Sequence, residues 1–267
     1  MLWDFKNIKH YIYCDSTWNL WSTSSTLMRG YSKRLLFDAE GLEKKSYDQA
    51  THIFTISHYV KKNIIEHYKI KPEKITVVGS GLGVIKPYYG IKNYANGSIL
   101  FVAKGRFQDK GGPLVLKAME IISRKNKKIN LTIVGQGEYL DINGLDNVKT
   151  LGFIEIDQLQ KLFNESSLFL MPAKNEPWGL VYLEALACKM PIIGININSF
   201  PEISSNGEFG FSLYEETPES LANIIMDAFS NLEIMQAMGY NGQKNCLCKY
   251  SWDKTVRDIH EKIKESI

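Results

Sequence analysis

Apolar residues along this chain come in short runs of four or five, and between the runs the spacing opens to one residue in three or four. From residue 99 onward the alternation is regular. Ile99–Ala103, Leu131–Val134, Val148–Leu151, Leu168–Met171 and Pro191–Ile195 are the short runs, the pattern of strands buried on both faces. Helical spacing fills Gly112–Arg124, Asp157–Asn164 and Gly179–Lys189. Strands alternating with amphipathic helices predict an α/β architecture, a Rossmann-like doubly wound parallel sheet. Two further helices are predicted over about Pro218–Ser230 and Leu232–Cys248.

Before residue 85 the pattern is thinner. It predicts strands at His10–Tyr13, His52–Ile56 and Ile75–Val78, and a long helical stretch over about Thr26–Ala50. A helix over His58–Tyr68 has Ser57 as its N-cap. Glycines at 79, 81 and 83 and Pro87 mark a hinge. At the other end, Trp252, Val256, Ile259 and Ile263 recur at 0, 4, 7 and 11, a single helical stripe that needs a surface. Two domains are expected: residues 1–85 with 251–267 packing back on them, and residues 86–250.

Composition narrows the function without naming it. The 267 residues are 44% hydrophobic and 23% charged, ordinary for a globular protein. A net charge of +3, with no basic run interleaved with aromatics, argues against nucleic acid as a partner. The cysteines, Cys14, Cys188, Cys246 and Cys248, form no C-x-x-C pair and read as reduced thiols. Met1–Asn7 lacks the apolar core of a secretion signal. No apolar run approaches the ~18 residues of a membrane span. A cytoplasmic chain is expected, with room for peripheral contact with a membrane.

The candidate chemistry centres on the segment from Ala173 to Ala187. Pro177 and Gly179 break the chain just before an apolar helix, so Glu176 lies on the loop at the helix start and Glu184 inside the helix. Free amides at a helix start attract phosphate, and a carboxylate beside them can accept from sugar hydroxyls. Ligands of parallel sheets bind outside the carboxyl ends of the strands. Arg106, Lys110, Gly135 and Glu176 all follow such ends. Gly135-Gln-Gly137 resembles part of a dinucleotide fingerprint, but Leu140 stands where the third glycine belongs.

In order and spacing, Ala50–Ser57, Ile75–Gly83, Ile99–Gly111, Leu131–Gly137, Val148–Phe153, Glu176–Ala187, Met190–Ile193 and Glu208–Phe211 resemble the retaining glycosyltransferases of family four. That family has the GT-B fold of two facing Rossmann-like domains. The resemblance implies transfer of a sugar from a nucleotide-sugar to a saccharide or lipid-linked acceptor, with retention at the anomeric carbon. It implies that Arg106 and Lys110 hold the diphosphate, with Lys104 a third cation within reach of the same task. Glu184 would bind the ribose, and Glu176 would contact the donor sugar. Amides of Gly179, Leu180 and Val181 would meet phosphate or sugar, and Gly135 would let the chain approach the ligand. The loop at Gly152-Phe153 would lie against the base, mostly through backbone atoms. Asp15, after the first strand, either faces the donor sugar or caps the turn that follows it.

The nucleotide-sugar is a co-substrate. No other cofactor is expected, and no metal, since no D-x-D pair occurs. Two departures from the family stand out: Lys189 replaces a usual glycine, and Ser199-Phe200 replaces a small turn before Glu202. The first half is also short for this family. An incomplete first domain is expected, which a partner chain could complete. The alternative function is a non-catalytic or partner-dependent subunit that binds the nucleotide-sugar.

Overall fold

The structure is a computed structural model that describes residues 8–24, 30–137 and 139–265. It divides into two compact units, Met1–Gly81 with Ser251–Ile267, and Leu82–Tyr250. Among the described residues the strands form two sheets, both parallel throughout.

The smaller unit has a three-stranded sheet in the order β1 (Tyr11–Cys14), β2 (His52–Thr55), β3 (Ile75–Val77). Tyr11 registers with His52, and Ile53 with Ile75. Every residue of β2 is buried, as its central position requires. Helix α3 (His58–Glu66) buries Val60 and Ile64, one turn apart, and its N-cap Ser57 accepts from the Val60 amide at 3.1 Å. Each large apolar side chain so buried contributes about 1.5–3 kcal/mol.

Helix α1 (Trp18–Ser24) is not legible in the apolar pattern, and its cap explains why. The Trp18 amide donates to both carboxylate oxygens of Glu43, at 3.0 and 2.9 Å. Glu43 comes from α2 (Lys33–Gln49), a helix that begins later than the apolar spacing suggests because Ser32 caps it, accepting from the Leu35 amide at 3.2 Å. The expected residues 26–29 of that helix lie outside the described residues. Tyr47 (2.9 Å) and Tyr68 also donate their hydroxyls to Glu43, so one carboxylate joins α1 and α2 to the segment that follows α3.

Helix α10 (Trp252–Glu265) belongs to this unit, and the stripe expected of it needs correction. Trp252 and Val256 are 49% and 61% exposed. Thr255 is buried instead, and its hydroxyl donates to the Val78 carbonyl at 3.2 Å. The face is rotated toward Thr255, Ile259 and Ile263 because a β-branched hydroxyl fits a sheet edge that has a free carbonyl.

The larger unit has a six-stranded sheet in the order β6 (Val148–Thr150), β5 (Asn130–Val134), β4 (Ser98–Val102), β7 (Leu168–Leu170), β8 (Ile192–Ile195), β9 (Gly210–Leu213). Ile99 and Phe101 lie in a core shared with Val115, Ala118, Met119 and Ile122 of α4 (Gly112–Lys125). Leu100 and Val102, on the other face, are equally buried. Strand β9 escapes the apolar pattern because Gly210 and Ser212 dilute it. The short helix α7 (Phe200–Ile203) was likewise unread. Helix α6 (Leu180–Ala187) is buried on every side from Val181 onward, and α9 (Leu232–Lys249) packs across it. Helices α5 (Ile156–Glu165) and α8 (Pro218–Ser230) complete the layers.

Candidate functional site

The strand order fixes where a ligand can sit in the larger unit. From β4 the chain adds β5 and β6 on one side, then returns to add β7, β8 and β9 on the other. The loops leaving the carboxyl ends of β4 and β7 therefore run apart, opening the crevice in which parallel sheets bind ligands. Arg106 and Lys110 follow β4, and Glu176 and Gly179 follow β7.

The structure brings these residues together. Lys110 is buried, with its ammonium 3.9 Å from Glu176 Oε2 and donating to the Val102 carbonyl at 3.4 Å. Burial pulls its pKa from 10.5 down to about 8. Glu176 opposes that shift, and the charges of Lys104 and Arg106 add to it. Glu184 also acts on Lys110, so both carboxylates of the segment act on one ammonium. Arg106 is half exposed. Its Nε lies 3.4 Å from Asp109, and its Nη2 donates to the Asn175 carbonyl at 3.3 Å. A buried, weakly paired ammonium is costly to hold, and an incoming anion would relieve that cost.

Helix α6 starts in this crevice. Gly179 has φ 82°, a left-handed conformation, and a Cβ there would come within 2.7 Å of the Tyr182 ring. No side chain caps the helix, so the first amides, those of Leu180 and Val181, have no intrahelical acceptor. The position suits a phosphate.

The loops after β4, β5 and β6 are tied together through their backbones. The Gly105 amide donates to the Gly135 carbonyl at 2.6 Å, and the Gly135 amide to the Gly152 carbonyl at 2.5 Å. Gly135 has φ 64°, and a Cβ there would lie 3.3 Å from the Lys104 amide nitrogen. Phe153 is 73% exposed above this floor, a free aromatic face 3.6 Å from where a Cβ of Gly135 or Gly105 would stand.

Glu184 is placed differently from the simple expectation. It is buried inside α6, and its Oε1 accepts from the amides of Val84 and Ile85 at 2.8 and 3.3 Å. Half of the carboxylate thus already holds the chain after the glycine-rich segment. A contact 100 residues apart leaves no local mark in the sequence. Asp15 belongs to the smaller unit, at the exposed carboxyl end of β1. Among the described residues it caps neither the turn nor the helix that follows: Thr17 Oγ1 accepts from the Leu20 amide at 3.1 Å, and Glu43 takes the Trp18 amide.

Among the described residues no group of three or more His, Cys, Asp and Glu side chains could hold a metal ion. The four cysteines are free. No helix of the described residues is long and apolar enough to cross a membrane. A groove of about 520 Å³ beside α4, bounded by Glu120, Arg124 and Asp141, carries charges of both signs toward the opposite edge of the sheet.

A family model described as glycosyl transferases group 1 matches residues 91–245, which include every one of these crevice residues. The chain belongs to the group 1 glycosyl transferases. It is 25% identical over 240 residues to the uncharacterized glycosyltransferase MJ1607 of Methanocaldococcus jannaschii, a match covering 81% of this chain and 60% of that protein. It is 26% identical over 250 residues to the capsular polysaccharide biosynthesis glycosyltransferase CapM of Staphylococcus aureus, covering 84% of this chain and 65% of CapM. The chain thus spans about three fifths of the length of these curated relatives. The crystal structure of Anabaena Alr3699/HepE in complex with UDP and glucose superposes with a TM-score of 0.73 at 18% identity, covering 96% of this chain and 71% of that one. The fold is that of the GT-B glycosyltransferases, α/β with parallel sheets.

Proposed function

We propose that this chain binds a nucleotide-sugar in the crevice between the β4 and β7 loops and takes part in transferring the sugar with retention of anomeric configuration. The observation that carries the reading is the convergence of Lys110, Arg106, Glu176 and the uncapped start of α6 at the switch point of the sheet. The diphosphate would lie between the Lys110 and Arg106 cations and the amides of Leu180 and Val181. As the glycosidic bond breaks, charge gathers on the leaving diphosphate. Fixed cations and amide dipoles stabilise that charge without reorganising. The role falls to protein cations and needs no metal.

Glu184 would use its second oxygen for the ribose, and Phe153 would cover the base. Glu176, 3.9 Å from Lys110, would accept from a hydroxyl of the sugar next to the phosphate. Asp15 would contact the sugar, a role that the family resemblance alone supports. The acceptor is a saccharide or a lipid-linked saccharide, in keeping with CapM, whose name places it in capsular polysaccharide biosynthesis. A partner chain, and peripheral contact with a membrane, belong to the same proposal.

The test is turnover of UDP-, GDP-, ADP- and TDP-sugars, with product configuration read by proton NMR. Release of nucleoside diphosphate with a retained anomer supports the proposal, and an inverted anomer refutes retention. Binding without turnover, restored by a second polypeptide, would establish the partner-dependent form.

A further inference from the structure

The loop carrying Glu176 is held by side chains from other loops, and they grip its backbone. Asn198, after β8, donates its Nδ2 to the Lys174 carbonyl at 3.0 Å. Arg106 donates to the Asn175 carbonyl. Ser199, fully buried, donates its hydroxyl to the Pro177 carbonyl. Lys174 also pairs through its ammonium with Glu216, after β9. Three of the four carbonyls from 174 to 177 thus have side-chain donors, and only that of Glu176 has none among the described residues. Such a loop cannot turn about its own axis without breaking a bond.

The neighbouring residues reinforce the grip. Phe200 meets the Tyr182 ring edge-on at 5.2 Å, and the Tyr182 hydroxyl donates to the Met171 carbonyl at the root of the loop. Asn198 has φ 56°, the left-handed region, where Asn is better tolerated than most side chains. Its amide here reaches across to Lys174 in place of its own backbone.

We propose that Asn198 and Ser199 are positioning residues that fix the carboxylate of Glu176 and thereby select the donor sugar. The proposal rests on the donor reading above. Epimeric donor sugars on one nucleotide differ by the orientation of one hydroxyl. An acceptor distinguishes them only if its place is fixed, because hydrogen bonds weaken steeply with angle and distance. The nucleotide is held by other groups, so its affinity should not depend on this grip.

The test compares the wild-type chain with Asn198→Gly, Ser199→Ala and the double variant. Glycine keeps the left-handed backbone and removes only the amide, and alanine removes only the hydroxyl. Hydrogen exchange of the amides in 173–178 is measured first, without ligand. It should accelerate about tenfold or more in the double variant, with helix α4 unchanged. Unchanged exchange overturns the grip whatever the chain binds, and acceleration throughout the unit shows global destabilisation and overturns it also.

Affinities are then measured for UDP, UDP-glucose and UDP-galactose, and for GDP, GDP-glucose and GDP-mannose. In the double variant the diphosphate affinity should stay within about twofold, while the preference between epimers falls about tenfold. Local acceleration with epimer preference intact refutes the role in selection. A wild-type chain that binds none of the six refutes the donor reading, and selection with it, while the exchange result still judges the grip.

Discussion

Lys110→Met should make the chain more stable and a poorer ligand for diphosphates. Lys110 is 4% exposed, and among the described residues its ammonium has only a carbonyl at 3.4 Å and a carboxylate at 3.9 Å for partners. Its pKa in the folded chain is about 8, against 10.5 as the ordinary value. Between these values the unfolded chain binds the proton that the folded chain has released. Wild-type stability therefore rises with pH from about 8 to 10.5, and below pH 8 the full cost of burying the charge is present. Two and a half pH units correspond to about 3 kcal/mol. Methionine fills much the same volume without a charge, so the variant should gain about 2–3 kcal/mol at pH 7. The gain should fade toward pH 10.5. Urea unfolding at pH 7, 8.5 and 10 measures it.

In calorimetry the same variant should bind nucleoside diphosphate at least tenfold more weakly at pH 7. Wild-type affinity should fall above pH 8 by up to about tenfold per unit as the free ammonium loses its proton, and the variant should lack that dependence. A Lys110→Met chain that is less stable at pH 7, or that keeps wild-type diphosphate affinity, would refute this reasoning.

Further expectations follow from the other carboxylates. Glu184→Ala removes the acceptor of the Val84 and Ile85 amides and should weaken nucleoside diphosphate binding about ten- to hundredfold; unchanged affinity by calorimetry would remove Glu184 from the site. Glu176→Gln should leave diphosphate affinity within about twofold and lower turnover of the nucleotide-sugar by at least tenfold, and the reverse pattern would place Glu176 at the phosphate. Glu43→Gln sets an amide against the donors Trp18, Tyr47 and Tyr68 and should destabilise the smaller unit by about 3 kcal/mol; chemical unfolding with no loss would contradict the three-way cap. EDTA should leave nucleotide affinity unchanged, and loss restored by magnesium would show that the cations do not suffice.

How much of this could be read from the sequence depended on range. The strands of the larger unit were legible because both faces are buried, so each is a plain apolar run. The crevice was legible because a parallel sheet sends its ligand to its carboxyl edge, whatever the side chains. Helix α1 was not, because its first amide is capped by Glu43, 25 residues away. Strand β9 was hidden by Gly210 and Ser212. The stripe of α10 was misread at Val256, because apolar spacing cannot foresee that Thr255 would find the Val78 carbonyl.

Within the candidate site, the convergence of Arg106, Lys110, Glu176 and the start of α6 was expected from their place after strands. The engagement of Glu184 with Val84 and Ile85, and the grip of Asn198 and Ser199 on the 174–177 carbonyls, were not. Each joins a side chain to a backbone atom of a distant loop, and backbone atoms carry no sequence signal. Ser199-Phe200 looked like an unexplained departure from a small turn. In the fold Ser199 donates to the Pro177 carbonyl and Phe200 packs against the Tyr182 ring.

The central claim is that a nucleoside diphosphate lies at the crevice between the β4 and β7 loops. Amide chemical-shift mapping of the ¹⁵N-labelled chain with UDP and with GDP tests it most directly. Saturable shifts are expected, for at least one of the two, concentrated at Gly105, Gly135, Leu180 and Val181. No saturable shift with either nucleotide, or shifts confined to the groove at Glu120, Arg124 and Asp141, would contradict it.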